Sequence, residues 1–432
     1  MTRRTNLVLS VLSILIALAP MVSAQGLPKA SPKSVGLSQE RLDRITALMQ
    51  KHVDEGLLAG AVALVARDGK VAYLKSVGMQ DEEKGVAMKP DAIFRIASMT
   101  KPVTSVAVMM LYEEGRFRLS DPVSKYLPEF KNMKVLVAGP AGDGGKTQEQ
   151  LVPAKREITI RNLLTHTSGL TYQWDPRVGA KYYEAGITHG LIQTEDSLAD
   201  GIRKLAQIPL VYQPGEAFTY SLSVDVLGRL VEVVSGLPFD QFLRRRIFEP
   251  LRMNDTSFYL PDSKVPRLAA VYGPDPNGTL KRLSNGILGE GPMRICVTYP
   301  FEGPKRYCSG GGGLCSTVSD YARFCQMMLN GGELDGVRLL SPKTVELMTA
   351  DMVGDLSPGS GFGLGFGVTR SLREAGELTS VGAYRWGGFW YTTFFIDPAE
   401  KLIGVCMVQL YPSGKATLND KFEALAHQAI VN

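Results

Sequence analysis

The sequence predicts an α+β fold: an antiparallel sheet built from both ends of the chain, with a mostly helical segment inserted between them. Three observations predict it. Near the start, Ala61-Val62-Ala63-Leu64-Val65-Ala66 and Val71-Ala72-Tyr73-Leu74 flank the turn Arg67-Asp68-Gly69-Lys70, a hairpin pattern. Near the end, residues 362–368, 388–396 and 402–410 are β-rich, and Asp397-Pro398-Ala399-Glu400 forms a turn between the last two. Between these regions, residues 160–164, 198–207, 224–235 and 239–247 read as helices separated by Pro- and Gly-bearing loops. The expected layout is a sheet domain of residues 25–120 and 305–432, a helical domain of residues 121–304, and a site in the cleft between them.

The remaining elements follow in chain order. Residues 1–24 read as a secretory leader. Arg3 and Arg4 open it, residues 7–18 are mostly apolar, and Val22-Ser23-Ala24 is a small-residue cleavage site before Gln25. The expected location is therefore periplasmic or extracellular. No cysteine follows the cleavage site to carry a lipid, and no later stretch is long and apolar enough to span a membrane. Residues 38–55 read as an amphipathic helix with Leu42, Ile45, Leu48 and Met49 on one side. Residues 139–150 are polar and glycine-rich, an exposed loop or hairpin tip. A closing helix over residues 418–431 is expected to cover one sheet face.

Composition narrows the function classes. The 432 residues are 44% hydrophobic and 21% charged, ordinary for a soluble protein with a large core. A net charge of +5 without any dense basic run gives nucleic-acid binding no support. Cys296, Cys308, Cys315, Cys325 and Cys406 are too few for a disulfide scaffold, and their odd number leaves at least one unpaired. Cys308 and Cys315 are candidates to pair across the glycine run, as is either with Cys296; the alternative is that they are small buried apolar residues. His52, His166, His189 and His427 lack metal-ligand spacing, so no metal is expected.

The chemistry is carried first by Ser98-Met99-Thr100-Lys101, the one place where a lysine follows a serine by three residues. An apolar run over residues 102–111 follows and reads as a helix ending near Gly115. Residues three apart share a helix face, so the Lys101 amine can reach the Ser98 hydroxyl. An apolar setting disfavours a charged amine, and a neutral one is the base that a serine nucleophile needs. The helix N-terminus adds unpaired N–H groups where an oxyanion would form. Tyr220 lies just after the turn Pro214-Gly215 and before a helix, a junction that can aim a phenol into a cleft. By itself such a tyrosine is as readily a packing residue. Tyr384-Arg385-Trp386-Gly387-Gly388-Phe389-Trp390 precedes a predicted strand, and its paired glycines permit close backbone approach. The bland alternative there is a tight bend.

These three motifs in this order resemble the serine β-lactamase and penicillin-binding superfamily. The likeness is greatest to the class C branch and to the family VIII carboxylesterases within it. It covers nearly all of the chain after the leader, including residues 119–122, Leu163-Leu164-Thr165-His166-Thr167-Ser168-Gly169-Leu170 and the run Gly310-Gly311-Gly312-Gly313-Leu314. The resemblance implies a β-lactamase-like fold, Ser98 as nucleophile, and Lys101 with Tyr220 as a coupled base. It implies an oxyanion site from the Ser98 and Phe389 N–H groups within the Trp386-Gly387-Gly388 motif. Tyr172, Trp174, Trp386 and Trp390 are candidates for an apolar pocket, and no cofactor is required.

Two departures favour esters over β-lactams. Leu222 replaces the amide residue usual in the second motif, and Trp386-Gly387-Gly388 replaces Lys-Thr-Gly. Both losses remove polar recognition of β-lactams and leave the nucleophile and its bases. The expected partner is a small-molecule ester, probed best by short acyl chains, with room for weak cephalosporin hydrolysis. The rivals are a class C-type β-lactamase or D-amino-acid peptidase, and a non-catalytic sensor on the same scaffold. His166 reads as structural in its loop, because no G-x-S-x-G elbow exists to make a Ser-His-Asp triad.

Overall fold

The computed structural model describes residues 26–141, 147–357 and 359–432. The leader read at residues 1–24 and the tip of the glycine-rich stretch, 142–146, lie outside them.

Helix α1 (Gln39–Asp54) starts where the Ser38 hydroxyl accepts from the Arg41 N–H, and it buries Leu42, Ile45 and Met49. Strands β1 (Gly60–Arg67) and β2 (Lys70–Asp81) form the expected hairpin, and β3 (Val86–Ala87) extends it. A 3₁₀ turn over Ala97–Met99 leads into α2 (Thr100–Glu113), which is buried along nearly its whole length. Helices α3 (Ile160–Leu164), α4 (Leu198–Leu205) and α5 (Ser223–Ser235) occupy the middle of the chain, and α2 packs on α5. Helix α6 (Val318–Leu329) precedes the C-terminal strands β4 (Gly361–Phe362), β5 (Gly367–Val368), β6 (Tyr384–Gly388), β7 (Thr392–Asp397) and β8 (Leu402–Met407). Helix α7 (Leu418–His427) closes the chain.

Both ends of the chain meet in one antiparallel sheet of order β4-β5-β6-β7-β8-β1-β2-β3. Its central join is β1 against β8, with Val62 opposite Met407 and Leu64 opposite Val405. Alternation divides the strand residues between two cores. Val62, Leu64, Val405 and Met407 share the larger core with Val103, Val106 and Met109 of α2 and Phe324 of α6. Ala61, Ala63, Val65 and Cys406 face the other way, against Ile45 and Met49 of α1 and Phe422 and Ala426 of α7. A central strand buried on both faces must be apolar at every position, which explains the unbroken run of residues 61–66. Each large aliphatic side chain so buried contributes about 1.5–3 kcal/mol.

Three expected elements differ. The strand expected over residues 388–396 is two strands: β6 ends at Gly388, and the Tyr391 N–H turns back onto the Gly388 carbonyl at 3.0 Å. The strand expected over residues 362–368 pairs only at its ends, because the Gly363 N–H closes a turn onto the Phe366 carbonyl through Gly365 at φ 100°. The helix expected over 239–247 is α-helical only over Phe239–Leu243 and continues as a π turn over Arg244–Phe248. All five cysteines are free thiols, four of them buried. No helix among the described residues is long and apolar enough to cross a membrane.

Candidate active site

The segment that delivers Ser98 is pinned before it turns. Phe94–Arg95 pairs with Cys315–Ser316, and the Ile96 N–H donates to the Leu314 carbonyl at 3.0 Å. The buried Arg95 guanidinium donates to the carbonyls of Val297 (2.8 Å) and Ala269 (2.9 Å) and to Gln409 Oε1 (3.1 Å). It ties four stretches of chain together beneath the turn. Ala97 then adopts φ 40°, a left-handed conformation that costs about 1–3 kcal/mol in a non-glycine residue. This strained step lifts Ser98 to the head of α2.

Lys101, one turn on, is 1% exposed. Its Nζ donates to Ser98 Oγ at 3.2 Å and to the Gly311 carbonyl at 2.6 Å. The glycine run is laced to α2 on either side: Thr104 Oγ1 donates to the Gly310 carbonyl at 2.8 Å, and the Leu314 N–H donates to Thr100 Oγ1 at 3.1 Å. Glycine is required there by space. A Cβ on Gly310 would stand 2.5 Å from the Val224 carbonyl oxygen, and one on Gly313 would stand 2.8 Å from the Phe258 ring.

Tyr220 reaches the same place from the helical segment. The Lys101 Nζ lies 4.5 Å from the centre of the Tyr220 ring and 5.5 Å from that of Tyr172. The Tyr220 hydroxyl accepts from Trp386 Nε1 at 3.4 Å, which joins the second and third motifs directly. The backbone around Tyr220 is held by His166, whose carbonyl accepts from the Thr219 N–H at 2.8 Å and whose Nδ1 accepts from the Ser221 N–H at 3.2 Å. His166 also packs its ring 4.8 Å from that of Tyr220. Burial, reinforced by the Lys101 charge, holds its pKa well below the ordinary imidazole range. It is a neutral brace beneath the phenol.

Gly388 brings the third motif against the segment that delivers Ser98: a Cβ there would stand 2.4 Å from the Ile96 carbonyl oxygen. Phe389 follows and lines the cavity with Ser98, Tyr172, Trp174, Leu191, Tyr220, Met293 and Ile295. The cavity, together with its opening to solvent, spans about 410 Å³ of empty space, and neither an arginine nor a carboxylate is among its lining residues. Trp174 stands at its mouth, 50% exposed, stacked on Tyr172 with ring centres 4.3 Å apart. Trp390 does not line the cavity. It is fully buried with Ala97, Ile295 and Tyr299, beneath Phe389, whose ring centre lies 5.0 Å from its own.

Sequence reasoning missed several contributors: the Gly311 carbonyl, the brace from His166, the apolar wall of Leu191, Met293 and Ile295, and Asp225. Asp225 is fully buried on α5, and burial raises its pKa to about 6 against the opposing effects of the Ser309 hydrogen bond and the Lys101 charge. Its one local signal was an acid between two valines, Val224-Asp225-Val226.

The family model for β-lactamase matches residues 45–428. Among characterised and uncharacterised relatives, the chain is 36% identical to protein Rv1367c of Mycobacterium tuberculosis over 86% of this chain and 90% of that protein. It is 34% identical to esterase EstB of Burkholderia gladioli over 82% of this chain and 87% of EstB. Among solved structures, it superposes on EstCE1, described as a hydrolase with promiscuous acyltransferase activity. That match has a TM-score of 0.76 and 28% identity, covering 91% of this chain and 99% of EstCE1.

Proposed function

The chain belongs to the β-lactamase family, and from that premise we propose that it is a carboxylesterase that carries its acyl group on Ser98. The observation that carries the reading is the buried Lys101 amine, 3.2 Å from Ser98 Oγ and beside Tyr220, two residues that line an apolar cavity. Ser98 Oγ attacks the ester carbonyl carbon, and its proton passes to the Lys101–Tyr220 pair. The N–H groups of Ser98 and Phe389 receive the oxyanion. Tyr220 returns a proton to the departing alcohol as the C–O bond breaks. Water then attacks the acyl-serine and gives its proton to the same pair. The carboxylic acid leaves and the Ser98 hydroxyl is restored.

The preference for esters rests on what surrounds this centre. Trp386 stands where the family's β-lactamases have a lysine, and buried Leu222 stands where they have an amide. A carboxylate-bearing β-lactam finds no arginine among the cavity's lining residues, whereas an uncharged short-chain ester needs none. The similarity to esterase EstB supports the same choice. The test is turnover of p-nitrophenyl butyrate against nitrocefin, with mass spectrometry of the trapped enzyme. The expected result is faster ester turnover and a butyryl group on the peptide containing Ser98. Acylation elsewhere, or none, overturns the reading.

A further inference from the structure

The glycine run that clamps Lys101 is itself backed by a carboxylate. Asp225 Oδ1 accepts from Ser309 Oγ at 2.7 Å, and the same carboxylate is a hydrogen-bond partner of the Gly311 N–H and the Tyr307 hydroxyl. Oδ2 faces Gly311: a Cβ on that glycine would stand 2.5 Å from Oδ2 and 3.2 Å from the Tyr172 hydroxyl oxygen. The carbonyl of the same residue accepts from Lys101 Nζ at 2.6 Å. A single glycine therefore lies between the buried carboxylate and the buried amine, bonded to both. Asp225 thus holds the N–H side of the residue whose carbonyl holds Lys101.

We propose that Asp225 is a positioning residue for the proton-transfer pair: it fixes the loop that aims the Gly311 carbonyl at Lys101, and its charge sets the pH at which Ser98 becomes nucleophilic. The inference rests on the reading of Ser98 and Lys101 given above. The groups facing the two charges are few. Lys101 comes from α2, Ser309, Gly311 and Tyr307 from the glycine run and its approach, and Tyr172, Tyr220 and His166 from the loops beside the cleft. Burial holds Tyr172 and Tyr307 neutral by raising them, and holds His166 neutral by lowering it. The Lys101 charge lowers the pKa of Asp225, and by the same Coulomb attraction an ionised Asp225 pulls on a positive charge at Lys101 across that one glycine. Asp225→Asn removes this attraction and leaves the hydrogen-bonding shape of the side chain.

The experiment is the rate of Ser98 labelling by an uncharged fluorophosphonate between pH 5 and 10, for the wild-type protein and Asp225→Asn. The variant keeps an acceptor for Ser309 and loses the charge. The expected result is an acid limb displaced to lower pH by half a unit or more, about a threefold gain in labelling on that limb relative to each protein's own plateau. A limb that stays in place, even with a uniformly lower rate, or that moves upward, overturns the proposal. Should Asp225→Asn not fold, Asp225→Ser is read by the same criterion. Wild-type protein that does not label at any pH sinks the Ser98 reading itself. A labelled wild type with an unmoved variant sinks only the role of Asp225.

Discussion

A buried aspartate and a buried histidine occur twice in this molecule, beside the cleft and between the sheet and α7, and their surroundings push them in opposite directions. Near the cleft, burial raises Asp225 to about 6 and, together with the Lys101 charge, keeps His166 well below its usual value. Both move toward the neutral form. On the other face, burial also opposes charge, but His427 Nε2 lies 2.8 Å from Asp397 Oδ2. There the contact prevails: Asp397 is lowered and His427 is raised, both toward the charged form. Burial opposes charge at both places, and the outcomes differ because the opposite charge is in direct contact only at the second. The paired face holds structure together. The cleft face instead pushes Asp225 and His166 toward their neutral forms, at a cost in stability.

The largest effects should separate the two faces. Ser98→Ala should lower ester turnover by about 10⁴-fold or more, and Lys101→Ala or Tyr220→Phe by at least about a hundredfold each, with melting temperature little changed. Steady-state kinetics and thermal melts check this, and near-normal turnover in either base variant would remove the cleft from the contrast. On the opposite face, His427→Ala should do the reverse, losing about 3 kcal/mol of stability by leaving a buried carboxylate unpaired, with kcat at 25 °C unchanged. A fall in kcat in the folded variant would show that the two faces are coupled.

Stability against pH sharpens the difference further. A raised His427 stabilises the fold fully below about 6.5, and that contribution is lost as pH rises through its folded pKa. A lowered Asp397 contributes above about 3.8 and is lost as pH falls through its folded pKa. Together they strengthen the protein most between those values. Asp225 has the opposite sign: raised from 3.8 to about 6, it withdraws stability as pH climbs through that window. Asp225→Asn should therefore melt higher than wild type at pH 7 and show no such gain near pH 4. Equal shifts at both pH values would count against a buried charge there. The smallest effect belongs to Trp386→Phe, which removes a long 3.4 Å donor to the Tyr220 hydroxyl and should slow turnover by only about three- to tenfold.

What the sequence made legible was local. Ser98 and Lys101 lie one helical turn apart, and the hairpin of β1 and β2 announces itself by its turn, so neither needed the rest of the chain. Tyr220 became legible through its order among three motifs. Trp390 was misplaced because a run of aromatic residues at a strand end does not say how deep each will lie: Phe389 lines the cavity, and Trp390 is fully buried behind it. The Gly311 carbonyl is a backbone atom 210 residues from Lys101, and the His166 brace spans 55 residues to Ser221. No spacing rule reaches such partners, and a backbone acceptor has no residue type to recognise.

The join of β1 to β8 has a consequence for synthesis. Ser98 and Lys101 leave the ribosome early, but the strand that covers the bare edge of β1 begins only at Leu402, and Trp390 and Tyr411, which underlie Ala97, also arrive late. A nascent chain therefore carries Ser98 through most of translation without the platform beneath it, and the cleft is complete only once the final strand and helix are made.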